Sequence, residues 1–195
     1  MDGPALGCVL MASGEGKRFG GDKLTAPFGG GPMLCRVLAA TGTPLIARRA
    51  AVTRNGEIAE LCRRMEVEAV LHGLPRRSDT VCLGLEALGD GLAGCLFCPC
   101  DQPLLARRSV EALCRRFTAE PDFIWQLAWG GEAGSPILFP ADCFPALMAL
   151  PEGKGGSYIA RAQPERVWLV EASSPWELRD VDTPDDLREL LEHIK

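Results

Sequence analysis

The chain has 195 residues, 47% of them hydrophobic, and a formal net charge of −5. This length and composition fit one folded domain with an extensive core and exclude an intrinsically disordered chain. The acidic balance argues against a non-specific nucleic-acid-binding protein, because such proteins need a basic face to displace counterions.

The beginning of the sequence contains no pattern typical of a targeting segment. Met1 to Pro4 lack the basic and apolar regions of a secretory signal, and no apolar run approaches the ~18 residues of a membrane span. The nine cysteines are scattered, and most stand where small apolar residues would fit. Buried free thiols in a reducing compartment explain them best, so we expect a cytoplasmic protein that does not enter a membrane.

Cys95, Cys98 and Cys100 form a C-x-x-C-x-C pattern, which can bind zinc or a cluster. Cys95 and Cys98 lie in a predicted strand, where residues three apart point to opposite faces. No second cysteine pair with metal-ligand spacing follows. A structural metal is therefore the weaker alternative.

A predicted strand from Leu6 to Ala12 leads into a glycine-rich basic loop. Glycine at positions 14 and 16 lets backbone N–H groups approach phosphate oxygens, which a Cβ could obstruct. Arg18 offers a planar fork of donors and Lys23 a compact point charge. The loop predicts a nucleoside triphosphate site, with an ordinary surface loop as the alternative. The residues assigned to nucleotide binding here are Ala12, Ser13, Gly14, Glu15, Gly16, Arg18 and Lys23.

Two better-known phosphate loops are excluded. A dinucleotide fingerprint starting at Gly14 would need glycine where Phe19 stands, and no G-K-S or G-K-T sequence occurs in the chain.

The next elements alternate between helices and strands. Pro32 is predicted at the first position of a helix ending at Ala40, followed by a strand over 44–53, a helix capped by Asn55, and a strand over 67–72. This β-α-β-α-β pattern predicts a mainly parallel sheet with right-handed crossovers. We therefore expect an α/β fold, a Rossmann-like three-layer α/β/α sandwich.

The segment 73–80 follows the third strand, at the sheet edge where α/β proteins bind ligands. Ser78 or Asp79 is predicted to cap the next helix, which ends at Leu88, and two arginines add positive charge beside its N-terminus. A capped helix with solvated arginines is the alternative interpretation. The residues assigned to nucleotide binding here are Arg76, Ser78 and Thr80.

An apolar strand predicted over 93–99 delivers Asp101 at its end. A carboxylate oxygen is a ligand that Mg²⁺ prefers, and substrate phosphates commonly complete its shell. A helix over 106–117 and strands over 122–129 and 166–170 follow.

The C-terminal part contains a second group of carboxylates. Asp180 and Asp182 alternate with Val181, so both face one side if this piece is extended. Thr183 is predicted to cap the last helix, with Pro184 at its first position. Capping explains Thr183 but neither of the two aspartates.

Three segments together resemble the signatures of the nucleotidyltransferases that activate molybdenum cofactor. They are L-x-A-x-G-x-G-x-R-F-G-x-x-K-L, C-P-C-D-Q-P-L-L and L-R-D-V-D-T-P-D-D-L, in the family's order between Leu6 and Leu190. The resemblance implies Mg²⁺-dependent transfer of CMP from CTP to the phosphate of a molybdopterin cofactor, with release of pyrophosphate. It implies catalytic roles for Arg18, Lys23 and Asp101, and metal binding by Asp101, Asp182 and Asp180.

The resemblance also implies how the acceptor is bound. Ser135 lies in a G-S-P segment where the family often has histidine. Lys154 lies in a loop that resembles the family's acceptor-phosphate loop, with a solvated lysine in a glycine-rich turn as the alternative. We expect one nucleotidyltransferase domain over 1–195, with a nucleotide-binding half over about 1–105 and an acceptor-binding half over about 106–195. The four tryptophans are expected in the core or in the walls of the acceptor pocket.

The base and the exact activity stay open. The D-Q-P sequence that begins at Asp101 resembles the cytidylyltransferase branch, whereas the P-C sequence that ends at Cys100 resembles the guanylyltransferase branch. Either CTP or GTP is therefore expected. Transfer to a sugar phosphate is a further alternative. A nucleotide-binding regulator or cofactor chaperone without turnover belongs to another class. A molybdoenzyme or its chaperone is the expected protein partner.

Overall fold

Strands and helices alternate along most of the chain. The computed structural model describes residues 4–14 and 16–194. The strands are β1 (Leu6–Ala12), β2 (Pro27–Phe28), β3 (Gly31–Pro32), β4 (Arg48–Thr53), β5 (Glu68–Leu71), β6 (Gly94–Pro99), β7 (Ile124–Trp129), β8 (Glu132–Pro140) and β9 (Val167–Glu171). The helices are α1 (Met33–Thr41), α2 (Gly56–Arg64), α3 (Arg77–Leu88), α4 (Arg107–Ala119), α5 (Phe144–Met148), α6 (Gly156–Ala162) and α7 (Pro184–Leu191).

A mainly parallel sheet forms the centre of the molecule. In the described part of the chain it has seven strands in the order β5-β4-β1-β6-β8-β7-β9. β8 runs antiparallel to both of its neighbours, while the other pairs are parallel. β2 and β3 form a separate small hairpin. The predicted parallel sheet is confirmed, and β8 is the one strand in it that runs against the others.

Helices cover both faces of the sheet, because its central strands are apolar on both sides. Leu10 of β1 packs in a cluster with α1, α2, α4 and α7. Its neighbour Val9 packs in the opposite cluster, with α3, α5 and α6. The expected three-layer α/β/α sandwich is therefore confirmed.

Two glycines bring helices unusually close to the sheet. A Cβ added at Gly84 of α3 would lie 2.4 Å from a methyl group of Val9, and one at Gly94 of β6 would lie 2.6 Å from the ring of Phe117 in α4. Only glycine fits these positions without moving a neighbour. These contacts fix how closely α3 and α4 pack against the central strands.

Several expected element ends differ from the structure. The second large strand begins at Arg48 and not at Pro44, and Pro32 lies in β3 and is the N-cap of α1 instead of its first residue. α3 begins at Arg77, so neither Ser78 nor Asp79 is its N-cap. Asp79 instead accepts a hydrogen bond from the Arg76 N–H at 3.0 Å, which satisfies the same helix end from inside the first turn.

All nine cysteines are free, and seven of them are buried. Cys95 and Cys98 pack in opposite clusters, as their spacing predicts. Burial raises the pKa of Cys62 to about 11 and that of Cys114 to about 12. These thiols therefore fill space in the core as neutral groups. Within residues 4–14 and 16–194, no helix is both long and apolar enough to span a membrane.

Candidate active site

A cavity of about 290 Å³ opens at the carboxyl edge of the parallel strands. Its walls come from the segments that follow β1, β4, β5 and β6, from β8, and from the beginning of α6, as expected for a ligand site in an α/β sheet. The residues lining it are Met11, Ser13, Gly14, Arg54, Leu74, Pro75, Arg76, Arg77, Thr80, Phe97, Pro99, Asp101, Ser135, Ile137, Gly155, Gly156 and Ser157.

The glycine loop after β1 forms a tight turn beside this cavity. The backbone N–H groups of Phe19 and Gly20 donate to the Gly16 carbonyl at 2.9 and 3.1 Å. Gly16 has a φ of +58°, and a Cβ there would lie 2.2 Å from the carbonyl oxygen of Gly21. An added Cβ at Gly14 meets no described atom within 4 Å. Glycine at position 16 is thus required by the fold of the loop itself, whereas glycine at 14 leaves open space at the cavity.

Lys23 joins two carboxylates from distant parts of the chain. Its Nζ donates to Asp101 Oδ2 at 2.8 Å and to Asp182 Oδ1 at 3.1 Å. Burial lowers the pKa of Lys23, but the two aspartates outweigh this effect and raise it above its ordinary value. The ammonium group is therefore charged at neutral pH and lies beside the cavity.

Arg18 contacts the same cluster from the outside. Its Nη2 donates to Asp182 Oδ2 at 2.8 Å, while 72% of its side chain remains exposed. The three residues implied to be catalytic, Arg18, Lys23 and Asp101, thus surround one position, and Asp182 links Arg18 to Lys23.

Asp180 lies near the cluster but has a different partner. Its Oδ1 accepts a hydrogen bond from Gln102 Nε2 at 2.9 Å. Desolvation raises the pKa of Asp180, and the negative charges of Asp101 and Asp182 raise it further. Of the two C-terminal aspartates, Asp182 is therefore the one that contacts Lys23 directly.

These carboxylates suit a divalent cation only in combination with a substrate. Among residues 4–14 and 16–194, no three His, Cys, Asp or Glu side chains converge closely enough to hold a metal ion. Mg²⁺ sites at nucleotides commonly use one or two carboxylates, with phosphate oxygens and water as the other ligands. The donors present, Asp101 and Asp182, fit that arrangement.

The residues assigned to the base side divide into two groups. Arg76 and Thr80 line the cavity together with Arg77, whereas Ser78 is buried and is not part of the lining. Arg76 Nε also pairs with Glu152 at 3.0 Å. Ala12 is buried at the end of β1, outside the lining, and Glu15 falls outside the described residues.

The acceptor-side residues are also divided. Ser135 lines the cavity, but Lys154 is exposed and only its neighbours Gly155 and Gly156 line it. A Cβ at Gly155 would lie 2.8 Å from Arg77 Cδ, so glycine lets this loop approach α3 closely.

The expectation for the tryptophans is wrong in part. Trp125 is buried in the core, whereas 43% of Trp129 and 50% of Trp168 are exposed. None of the four tryptophans lines the cavity within the described residues.

Sequence reasoning missed two site residues, Arg54 and His72. Arg54 donates to the Ser13 carbonyl from Nε at 3.0 Å and from Nη2 at 2.5 Å. His72 Nε2 lies 2.9 Å from Ser13 Oγ. Each residue directly follows a parallel strand, β4 or β5, which is the signal that places it at the ligand-binding edge.

Several solved structures have a similar fold. A nucleotidyl transferase of Methanothermobacter is 23% identical, with a TM-score of 0.79 over 97% of each chain. Rv0371c of Mycobacterium tuberculosis is 22% identical, with a TM-score of 0.80 over 97% of this chain and 100% of that one, and it has also been solved in complex with manganese. CMP:2-keto-3-deoxy-manno-octonic acid synthetase, solved with CTP, is 14% identical, with a TM-score of 0.74 over 97% of this chain and 98% of that one.

These structures share the fold. No curated protein sequence matches the chain significantly. The family model described as MobA-like NTP transferase domain matches residues 8–167, which is most of the chain. The chain therefore belongs to the MobA-like NTP transferase domain family, whose reaction class is nucleotidyl transfer.

Proposed function

We propose that this protein transfers CMP from CTP to the phosphate of a molybdopterin-type molybdenum cofactor and releases pyrophosphate, in a Mg²⁺-dependent reaction. The observation that carries the proposal is the convergence of Lys23, Asp101 and Asp182 beside a cavity lined by arginines. These residues come from three segments far apart in the sequence, and all three segments resemble family signatures.

The reaction needs no nucleophile from the protein. A phosphate oxygen of the acceptor attacks the α-phosphorus of CTP, a new P–O bond forms, and the bond to the β-phosphate oxygen breaks. The electron pair of that bond leaves with pyrophosphate. Catalysis of such a transfer consists of positioning the reactants and stabilising the charge that develops.

The chain supplies this stabilisation through two cations of different character. Lys23 carries a desolvated ammonium group. The guanidinium of Arg18 is exposed and can donate hydrogen bonds to a phosphate group that enters from solvent. Asp101 and Asp182 would hold Mg²⁺, with Asp180 near them, and the ion would neutralise phosphate charge. The manganese complex of Rv0371c supports a divalent ion in this fold.

Cytosine as the base is supported by the D-Q-P sequence after Cys100 and by the CTP complex of a similar structure. The cavity offers Arg76, Arg77 and Thr80 as polar groups for the base or its phosphates. Ser135 and Lys154 are proposed to bind the acceptor. GMP transfer remains the second candidate, because Cys100 itself resembles the guanylyltransferase branch.

We further propose that residues 1–195 act as one nucleotidyltransferase domain in the cytoplasm. The sheet contains strands from the proposed nucleotide half and from the acceptor half, β6 pairing with β8 across the division. A molybdoenzyme or its chaperone is the proposed recipient of the product.

The test is pyrophosphate release with CTP and with GTP, using the same molybdopterin acceptor and Mg²⁺. We expect kcat/KM to favour CTP by at least ~10-fold, equivalent to roughly 1.4 kcal/mol of transition-state preference. Equal or reversed preference would favour the guanylyltransferase candidate. A sugar phosphate is the control acceptor, and faster turnover with it would refute molybdopterin as the substrate. Nucleotide binding without turnover with either acceptor would favour a regulator or chaperone.

A further inference from the structure

His72 connects the two loops that border the base side of the cavity. It directly follows β5, and both of its ring nitrogens have partners. Nε2 lies 2.9 Å from Ser13 Oγ, and Nδ1 accepts a hydrogen bond from the Leu74 backbone N–H at 3.2 Å. Ser13 and Leu74 both line the cavity. One imidazole ring thus spans the distance between the glycine loop and the segment before α3.

The hydrogen-bond partners determine the tautomer of this ring. Ser13 Oγ donates its single proton to the Val52 carbonyl at 2.9 Å, so its contact with His72 requires a proton on Nε2. The Leu74 N–H requires a lone pair on Nδ1. His72 is therefore neutral, with the proton on Nε2.

The surrounding charges favour the same state. Burial lowers the pKa of His72, the guanidinium of Arg54 lowers it further, and Asp79 opposes them in part. Arg54 also holds the Ser13 carbonyl, so the charge that disfavours a second proton is part of the same cluster. His72 stays neutral at pH 7 and gains a proton only below its ordinary pKa of ~6.5.

We propose that neutral His72 is a positioning residue that holds Ser13 and Leu74 at a fixed separation and so sets the affinity of the site for its nucleotide. This inference rests on the proposed function only in taking the cavity as the nucleotide site. A proton on Nδ1 would replace the lone pair that Leu74 uses. This link between Ser13 and Leu74 through His72 is therefore intact above the pKa of His72 and is lost as the pH falls through that pKa.

The first test needs no ligand. The chain has only two histidines, so nitrogen chemical shifts of a ¹⁵N-labelled sample can be assigned with a His193→Gln variant. We expect His72 in the Nε2–H form, with a pKa below that of free histidine. The Nδ1–H form, or a pKa at or above the free value, would overturn the inference.

The second test separates the two halves of the link. In His72→Asn, the amide oxygen can take the place of Nδ1 toward Leu74 but the side chain is too short for Ser13. In His72→Gln, the amide reaches toward Ser13, and His72→Ala removes both contacts. We expect CTP dissociation constants to rise ~3-fold in each amide variant and ~10-fold or more in the alanine variant, with kcat changed less than ~2-fold, since uniform binding is lost.

The pH profile supplies the readout that a merely structural residue would not move. In the unmodified protein the CTP dissociation constant should rise more steeply as the pH falls below the ordinary histidine pKa than it does in His72→Ala, because protonation of the terminal phosphate of CTP affects both proteins alike. An equally steep rise in the alanine variant, or equal affinities in both proteins, would refute the role. If the alanine variant does not fold, the two amide variants and the pH profile of the unmodified protein decide the question.

Failure of the proposed function gives a different result. If CTP binds but no transfer occurs, the predicted effects of His72 on binding still apply. If no nucleoside triphosphate binds at all, the proposed function fails, and the tautomer measurement alone tests the link.

Discussion

Replacing Lys23 by methionine should destabilise the free protein. Methionine keeps the length and apolar stem of lysine but leaves Asp101 and Asp182 without the ammonium group that both contact. Only 9% of the Lys23 side chain is exposed, compared with 26% of Asp101 and 36% of Asp182. The lysine is thus desolvated, whereas its partners remain partly hydrated.

The expected loss of stability follows from this partial burial of the ion pairs. Breaking a fully buried pair costs about 3–5 kcal/mol, whereas an exposed pair contributes below ~1 kcal/mol. Because water can solvate the two carboxylates after the change, we expect a loss of roughly 2 kcal/mol in the free energy of unfolding. For a chain of this length, that loss lowers the Tm by ~4–8 °C.

Arg18→Met is the matched control, because Arg18 contacts the same Asp182 with a largely exposed side chain. We expect it to lower the unfolding free energy by less than ~1 kcal/mol. Both variants would be measured by urea and thermal denaturation at pH 7 without nucleotide or divalent ions. A Lys23→Met protein as stable as the unmodified one, or an equal loss in Arg18→Met, would refute the reasoning.

Three further predictions address the metal site, the loop and the core. Asp101→Asn should abolish Mg²⁺-dependent pyrophosphate release while the thermal transition stays cooperative, because the amide keeps the shape but loses the charge; retained release would remove Asp101 from the mechanism. Gly16→Ala should destabilise the protein by more than ~1 kcal/mol, because the φ of +58° and the nearby Gly21 carbonyl both oppose a Cβ. Gly14→Ala is the control and should be nearly neutral, so similar urea midpoints for the two variants would contradict the prediction. Glu177→Gln should lower the free energy of unfolding by about 1–3 kcal/mol, because the two oxygens of the buried carboxylate each accept one backbone N–H and the amide would present an NH2 group to one of these donors. An unchanged Tm would argue against these bonds.

The segments that form the candidate site could be identified from the sequence, but their side-chain contacts could not. The Lys23, Asp101 and Asp182 side chains meet although up to 159 residues separate them, and no local pattern encodes that meeting. Their separate segments were each recognisable, and the parallel sheet predicts that the ends of its strands lie together. The pairing of Lys23 with both carboxylates was not predicted, since it depends on side-chain packing.

The errors have separate physical causes. Aspartate is favourable both at the N-cap and in the first turn of a helix, so local chemistry could not decide which position Asp79 takes. The sequence places His72 at the end of a predicted strand, but a single histidine forms no recognisable motif. Its contacts with Ser13 and Leu74 therefore could not be predicted. Trp168 looks like a core residue by composition, but it lies in β9, the last strand of the sheet, which has a neighbouring strand on one side only. Trp129 is the last residue of β7 and is followed directly by the Gly130–Gly131 turn, so it lies at the end of the sheet.

The close approach of Gly84 to Val9 has a consequence for how substrate selectivity can change. Gly84 lies about two turns from Arg77, and a helix moves largely as a rigid body over that length. A larger residue at position 84 would push α3 away from β1, because the contact with Val9 leaves no room for even a Cβ. Thr80 and Arg77, which line the cavity, would move with the helix. The width of the cavity can therefore be changed by a residue that does not itself line it.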